Sequence, residues 1–465
     1  MRKPNILFIM SDDHAAQAMS CYGSRINETP NIDRIAQGGT ILHNCFCTNS
    51  ICTPSRANIL TGQYSHRNGV KTLADKFDGR NPHVAKMLQS GGYQTAMIGK
   101  WHLGHGGVND PTGFDYWNVL PGQGLYHNPE MIDENGRQVH EGYVTDIITD
   151  FSLEWLRNRD ENKPFFLMCH HKAPHRPWDS DEKHAQLYEG HDVPLPETFF
   201  DDYSNRANAA KEAKMRVARD MNDRDLKNEK LGPPPDGLSE TELANWNYQR
   251  YIKEYLRCVA SIDDNVGRLL DYLDQEGLTD DTLVIYTSDQ GFFLGEHGWY
   301  DKRFMYEESL RMPFVARYPQ EIKPGSACDA MALNVDFAET FLDYAGLPIP
   351  GDMQGSSLRP LFNGETPEDW QTSLYYRYWM HLSHHYVCAH YGLRTHRHKL
   401  IYYYGEALGT TGSVDESKTP EWELFDLEKD PLEMNNVYAD SAYVGVVKEL
   451  KEELFRLKNK FGDEE

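Results

Sequence analysis

The chain has 465 residues, of which 39% are hydrophobic and 12% aromatic, so it can bury a large core. Its formal net charge of −24 excludes the general nucleic-acid and anionic-membrane binders, because these are normally basic. No run of about 20 apolar residues is present, so we expect no membrane span. An anionic ligand would therefore need a local pocket of cations inside an acidic shell.

The N-terminal residues 1–10 lead directly into an apolar run and lack the basic region and cleavage site of a signal peptide. We expect a cytoplasmic protein if the chain is complete as written, and a periplasmic or secreted protein if a signal peptide was removed. The eight cysteines are scattered, and Cys45 and Cys47 lack the CxxC partner of a zinc site. The sequence leaves the oligomeric state open.

Short apolar runs and helical patterns alternate along most of the chain. The runs predict buried parallel strands at 5–10, 95–98, 164–169 and 283–287. The helical patterns lie at 81–90, 146–157 and 243–276, the last with apolar residues at every third or fourth position. This alternation predicts an α/β fold with a large, mostly parallel sheet between layers of helices.

Two segments depart from that alternation. Residues 182–242 are polar and highly charged, which predicts a surface insertion with some helix, either a solvated flap or a substrate lid. Near the C-terminus, antiparallel strands are predicted at 373–379, 386–394 and 399–404, and an amphipathic helix at 442–461. We therefore predict a main α/β domain over 1–364 and a smaller α+β subdomain over 365–465.

Polar clusters follow each of the four predicted parallel strands. In chain order they are Asp12 and Asp13, Lys100 and His102, His171 and His175, and Asp289 and Gln290. A helix cap or a turn would explain each cluster alone, but ligand sites of open α/β sheets lie at the carboxyl ends of the strands. Three adjacent carboxylates repel one another unless a cation lies among them. Oxygen ligands favour calcium, with magnesium as the alternative.

One stretch, CTPSRANILTG at 52–62, resembles the signature of the type I sulfatases of the alkaline phosphatase superfamily. That signature is Cys or Ser, any residue, Pro, any residue, Arg, and then Thr-Gly. The acidic pair Asp12-Asp13 lies upstream, and the GKWH motif at 99–102, the DQG motif at 289–291 and Lys302 follow in the family's order. The resemblance implies an alkaline phosphatase-like fold and a sulfuric ester hydrolase.

The resemblance also implies a chemical mechanism. A maturation enzyme would oxidise Cys52 to formylglycine, an aldehyde, and the hydrated aldehyde would attack sulfur and form a sulfoenzyme intermediate. The second hydroxyl would then expel sulfate and regenerate the aldehyde, so water need not attack sulfur again. By family position the metal ligands are Asp12, Asp13, Cys52, Asp289 and Gln290, of which the last stands where many relatives carry Asn or His.

The remaining catalytic roles are likewise implied by the resemblance. Arg56 would brace the formylglycine and the metal-binding carboxylates. Lys100 and Lys302 would bind sulfate oxygens and offset charge in the transition state. His102 would assist proton removal from the hydrated aldehyde or its later elimination, and His175 would protonate the leaving oxygen as general acid.

Two further segments, 170–178 and 295–303, look like those of bacterial carbohydrate sulfatases of the N-acetylglucosamine-6-sulfatase and mucin-desulfating kind. This implies a sulfated sugar as substrate, in a glycosaminoglycan, mucin or other glycan, with N-acetylglucosamine 6-sulfate as the first candidate. Core packing competes as an explanation for the aromatic side chains. The candidate sugar-contacting residues are His171, Arg176, Trp178, His297, Trp299, Trp379 and His381.

The motifs leave other activities open. A phosphonate or phosphate monoester hydrolase of the same superfamily is the main alternative. Uronate 2-sulfates, algal polysaccharide sulfates and aryl sulfates are alternative substrates. A catalytically inactive protein that binds sulfated sugars is disfavoured, because binding alone would not need the oxidisable Cys52.

Overall fold

Strands and helices alternate through most of the chain in the computed structural model, which describes residues 3–464. The strands are β1 (Asn5–Ser11), β2 (Thr40–Leu42), β3 (Cys45–Phe46), β4 (Gln94–Lys100), β5 (Tyr116–Leu120), β6 (Glu130–Asp133), β7 (Gly136–Val139), β8 (Phe165–His170), β9 (Thr282–Ser288), β10 (Phe293–Leu294), β11 (Tyr300–Asp301), β12 (Arg311–Met312), β13 (Phe314–Arg317), β14 (Ser326–Cys328), β15 (Ala332–Leu333), β16 (Ser373–Tyr378), β17 (His390–Thr395), β18 (His398–Tyr403) and β19 (Glu421–Asp426). The α-helices are α1 (Pro30–Gln37), α2 (Cys52–Thr61), α3 (Ser65–Asn68), α4 (Val84–Ser90), α5 (Val144–Arg157), α6 (Asn208–Glu212), α7 (Asn228–Leu231), α8 (Glu240–Gln275), α9 (Glu307–Leu310), α10 (Asp336–Tyr344), α11 (Arg359–Phe362) and α12 (Val444–Phe461).

The largest sheet has ten strands in the order β14-β2-β13-β9-β1-β8-β4-β5-β6-β7. Its five central strands, from β9 to β5, run parallel, and antiparallel pairs flank them on both sides. Ser11 pairs with Ser288, and both Met10 and Gly99 pair with His170. The carboxyl ends of β9, β1, β8 and β4 therefore meet at one edge, which confirms the strands predicted from the apolar runs.

Helices cover both faces of this sheet because successive side chains of each strand point to opposite sides. From β1, Phe8 and Met10 belong to the core beneath α2, α4 and α10, whereas Leu7 and Ile9 belong to the core beneath α1, α5 and α8. The predicted α/β fold class is thus confirmed. Among residues 3–464, none of the helices combines the length and the apolar character that crossing a bilayer requires.

The C-terminal part contains a separate antiparallel sheet in the order β16-β17-β18-β19, and α12 packs on β16 and β17. Strand β17 begins at His390 instead of the predicted residue 386, because a short turn occupies 384–386 and His385 there has a left-handed backbone. Strand β19 was not predicted from the sequence. The domain boundary near residue 365 stays a prediction.

The segment 182–242 consists mainly of turns with the short helices α6 and α7. Its middle part is not a solvated flap, since Ala210, Met215 and Val217 are fully buried. Tyr203 stacks on Trp299 with 5.3 Å between ring centroids. Composition alone hid these apolar contacts, because the charged residues around them dominate the segment.

Candidate active site

Cys52 is the first residue of α2, a helix in which all ten residues are buried. Its Sγ lies 3.3 Å from Oδ1 of Asp12, which directly follows β1. The helix ends at Gly62, whose left-handed backbone (φ 66°) lets its amide donate to the carbonyl of Asn58. The Thr-Gly of the motif, Thr61-Gly62, therefore terminates the helix that positions residue 52.

Three carboxylates meet beside Cys52. Asp12, Asp13 and Asp289 are fully buried, and one oxygen of each lies within 4.8 Å of the others. The amide of Asp13, in a left-handed backbone conformation (φ 70°), donates to Asp289 Oδ1 over 3.2 Å. Gln290 donates its amide to Asp13, and its buried Oε1 has no hydrogen-bond donor in the structure. An oxygen cage with one orphaned acceptor fits a hard divalent cation.

The pKa values of these three carboxyl groups are also consistent with a cation site. Burial raises the pKa of Asp13 to about 6. Burial and the charge of Asp12 raise the pKa of Asp289 to about 7. Burial opposes ionisation of Asp12 as well, but the cations Lys100, Arg56 and Lys302 hold its pKa well below the usual range. A divalent cation among the three groups would favour the ionised form of each.

The predicted basic residues contact these acids directly. Arg56 donates from Nε to Asp289 Oδ2 over 3.0 Å and from Nη1 to the carbonyl of Lys100 over 2.6 Å. The Lys302 ammonium lies 2.6 and 2.7 Å from the two oxygens of Asp13. Burial would lower the pKa of Lys302, but the Asp13 carboxylate outweighs it and raises that pKa. The Lys100 ammonium contacts Asp12 and also Gln123.

Two histidines complete this cluster. The His175 Nδ1–H donates to the carbonyl of Arg176 over 2.5 Å, which leaves Nε2, 3.8 Å from Asp13, for proton exchange. His102 Nδ1 lies 3.3 Å from the hydroxyl of Thr53. Burial and the charge of Lys100 lower the pKa of both imidazoles well below the usual value. Both rings are therefore neutral in the free site at neutral pH.

The cluster opens into a cavity of about 410 Å³. Cys52, His175 and Lys302 line it together with polar groups that the sequence did not single out. These groups are Gln123, Lys172, Asn222, Arg224, Asp225, Asp301 and Arg303, and the cavity is also lined by His384 and His385, two histidines that the sequence indicates as possible sugar contacts. Asn222, Arg224 and Asp225 come from the segment 182–242, so part of the predicted insertion forms a wall of the cavity.

Of the candidate sugar-contacting residues, Arg176 lines this cavity. Its guanidinium forms ion pairs with Asp225 and, over 3.5 Å, with Asp301. Asp225 could not be predicted from the sequence, because it lies 49 positions from Arg176 in a turn of the charged segment. For Asp301, the one indication in the sequence was its position next to Lys302 in the segment 295–303.

The other six candidates require correction, because each is buried and none lines the cavity beside Cys52. Trp178 packs on Tyr251 with 4.6 Å between ring centroids, and Trp299 stacks on Phe304 at 4.9 Å. The remaining four are held in packing or hydrogen-bond contacts of the core: His171 beside Cys169, His297 on Asp201, Trp379 under Arg377, and His381 on the carbonyl of Glu416. Core packing thus accounts for the burial of these side chains, and Trp178 also lines a second cavity next to this one.

The fold and this cluster define an esterase-type hydrolytic site, and sequence comparison assigns its family. The chain belongs to the sulfatase family, whose pattern it matches over residues 4–347, and residues 295–460 match the family described as N-sulphoglucosamine sulphohydrolase, C-terminal. As a sulfatase it is a sulfuric ester hydrolase with an alkaline phosphatase-like fold, and both predictions from the sequence are confirmed.

Two relatives resemble the chain over almost its full length. The N-acetylglucosamine-6-O-sulfatase of Bacteroides thetaiotaomicron is 44% identical over 503 aligned positions, which cover 99% of this chain and 87% of that protein. The structure of BT4656 in complex with its substrate D-glucosamine-2-N,6-O-disulfate matches with a TM-score of 0.93 and 42% identity, over 100% of this chain and 99% of that one.

A second solved structure shares the fold alone. It is the phosphonate monoester hydrolase of Agrobacterium radiobacter, which has a TM-score of 0.75 at 22% identity and covers 98% of this chain and 96% of its own.

Proposed function

We propose that this sulfatase hydrolyses a sulfate monoester on a carbohydrate, with N-acetylglucosamine 6-sulfate as its first candidate substrate. The observation that carries the proposal is the contact of Cys52 with Asp12 at the base of a polar cavity. The relative from Bacteroides thetaiotaomicron, 44% identical over 99% of the chain, supports the choice of sugar. The cavity volume of about 410 Å³ lies within the range of small-ligand sites.

We further propose that Cys52 is converted to formylglycine by a maturation enzyme and serves as the nucleophile. Asp12, Asp13, Asp289 and Gln290 would hold a calcium ion together with residue 52, with magnesium as the alternative. The three close carboxylates and the orphaned Oε1 of Gln290 support this ligand set. Such an ion would supply Lewis-acid polarisation and would offset the negative charge of the reacting groups.

The chain's other residues act on charge and protons. The ammonium groups of Lys100 and Lys302, now on carboxylates, are placed to exchange these contacts for sulfuryl oxygens and to offset charge as the S–O bond breaks. His175 is neutral in the free site with its proton on Nδ1, so it takes up a proton at Nε2 when the sulfate anion binds and passes that proton to the leaving oxygen. His102 accepts a proton from the nucleophile. Arg56 donates hydrogen bonds to Asp289 and to the carbonyl of Lys100, and so holds the ends of β9 and β4 in place beside α2.

The test is a comparison of ester classes. Protein verified to carry formylglycine is incubated with N-acetylglucosamine 6-sulfate, other sugar sulfates, and the nitrophenyl esters of sulfate and phosphate. We expect sulfate release from the 6-sulfated sugar, and no release by the Cys52→Ala variant, which controls for contaminating hydrolases. Inert sugar sulfates together with a phosphate ester preference of about 100-fold would instead support a phosphonate or phosphate hydrolase.

A further inference from the structure

A second cavity, of about 320 Å³, adjoins the one that contains Cys52. Gly124, Lys172, Pro177 and Arg224 line both cavities, so the two are continuous along these residues. The proposed hydrolysis of one sulfate ester does not use this second cavity. Its lining includes Tyr126 and several charged side chains of the segment 182–242.

Lys172 stands at the junction of the two cavities without an acidic partner among the described residues. It follows β8, is 2% exposed, and has no carboxylate within ion-pair distance among the described residues. Its ammonium lies 4.5 Å from the centroid of the Tyr126 ring. Burial and the charge of Lys100 lower the pKa of Lys172 to about 7. An anionic partner would stabilise the charged form of this buried amine more than that of an exposed lysine, because little water competes for the contact.

Arg224 supplies a second cation at the same junction. It is exposed, and its guanidinium forms no ion pair or side-chain hydrogen bond within the described part of the chain. The neighbouring cations of the adjoining cleft are neutralised, since Lys227 contacts Asp179 at 2.8 Å and Glu254 at 2.5 Å. In a chain with 71 acidic and 47 basic residues, two cations without acidic partners beside one ligand cavity indicate a place for an anion.

We propose that Lys172 and Arg224 bind a second anionic group of the substrate while the first, the 6-sulfate, lies at residue 52. This inference rests on the proposed sulfatase function and narrows its substrate class to saccharides that carry a second sulfate or a carboxylate. Two sources supply that group: an N-sulfate on the same sugar, or an acidic group on the neighbouring sugar. The structure of BT4656 holds a substrate of the first kind, D-glucosamine-2-N,6-O-disulfate.

The experiment compares kcat/KM for three substrates: N-acetylglucosamine 6-sulfate, glucosamine-2-N,6-O-disulfate, and a disaccharide that joins the 6-sulfated sugar to a uronate. We expect the wild-type enzyme to prefer at least one of the two doubly anionic substrates by about tenfold, as for a charge-assisted contact. The preferred substrate identifies the source of the second anion. The ratio of kcat/KM between the doubly and the singly anionic substrate should fall towards one in Lys172→Met or in Arg224→Gln.

Arg219→Gln is the matched control, because Arg219 lies in the same segment, is exposed, and lines neither cavity. It should keep the wild-type preference. A wild-type ratio near one, or an unchanged ratio in both Lys172→Met and Arg224→Gln, would overturn the inference. If Lys172→Met does not fold, the result for Arg224→Gln tests the inference, because Arg224 is exposed and its replacement should not disturb the fold. Failure of the proposed function looks different, since then none of the three saccharides would release sulfate.

Discussion

The side-chain oxygen of Gln290 is the residue-scale feature that most directly indicates a cation. It is buried without a donor, although its own amide donates to Asp13. Leaving a buried carbonyl oxygen unsatisfied costs about 1–3 kcal/mol, so such an atom needs a partner. A cation held with Asp12 and Asp289 would supply that partner and would also relieve the repulsion among the carboxylates.

Gln290→Ala should weaken calcium binding by about 10- to 100-fold, because it removes one oxygen ligand and leaves the three carboxylates in place. Calorimetric titration of the metal-free protein with calcium measures the change. Gln249→Ala is the control, since that amide bonds to the carbonyl of Val193 away from the site. Equal calcium affinity in Gln290→Ala and the wild type would remove this residue from the ligand set.

The general-acid role of His175 predicts a dependence on the leaving group. A sugar alkoxide needs a proton when it leaves, whereas nitrophenolate does not. His175→Asn should therefore lower kcat/KM for a sugar sulfate by about 100-fold or more, and for nitrophenyl sulfate by less than about tenfold. Steady-state kinetics with both esters make the comparison. An equal loss for the two esters would assign His175 to binding or to metal placement instead.

At the scale of single elements, α2 depends on its C-terminal glycine. Gly62 has a left-handed backbone, and a Cβ built there would lie 2.9 Å from the carboxylate oxygens of Glu339. Gly69, at the end of α3, has a similar backbone (φ 82°) but open space around it. Comparing alanine variants of Gly62 and Gly69 therefore separates the free-energy cost of the left-handed backbone from that of the steric clash.

Gly69→Ala should lower the free energy of unfolding by about 1 kcal/mol through the backbone alone. Gly62→Ala should cost about 3 kcal/mol, because the clash with Glu339 adds to the same backbone cost. Chemical denaturation followed by tryptophan fluorescence measures both. If the two variants are equally stable, close packing does not restrict α2 at this end.

Elements with a strong local pattern could be predicted from the sequence. The apolar runs of β1 and β9 and the periodicity of α8 are visible in windows of a few residues, and the polar residues after the strands followed from sheet geometry. Strand β19 was missed because two buried acidic residues, Glu423 and Asp426, interrupt its apolar pattern. Likewise, composition could not show that Asp225 reaches Arg176, or that Trp299 is buried under Tyr203.

At the scale of the whole molecule, a buried ionic cluster joins the C-terminal sheet to the loop that carries Lys302. Lys399 of β18 is fully buried, and its ammonium lies 2.9 Å from Glu307 of α9 and 2.5 Å from Glu433. Arg394 of β17 contacts the same Glu307 at 3.1 Å. This cluster holds the C-terminal sheet against the segment that follows the active-site lysine.

Lys399→Ala should lower the free energy of unfolding by about 3 kcal/mol, because it leaves the buried carboxyl group of Glu433 without its cation, whereas the half-buried Glu307 keeps Arg394. Lys429→Ala is the control: that lysine is 65% exposed beside Asp426, and its loss should change stability by less than about 0.5 kcal/mol. Denaturant titration of both variants measures the difference. A Lys399→Ala variant as stable as the control would show that the cluster does not stabilise the contact between the C-terminal sheet and the segment after Lys302.

The central claim is that an aldehyde made from Cys52 performs the hydrolysis, and one correlation tests it most directly. Preparations with different degrees of maturation are compared for sulfate release and for the fraction of chains about 18 Da lighter, the change expected when the thiol becomes the activated nucleophile. Specific activity should rise in proportion to that fraction and extrapolate to zero for unmodified chains. Full activity in chains that retain the Cys52 thiol would contradict the account.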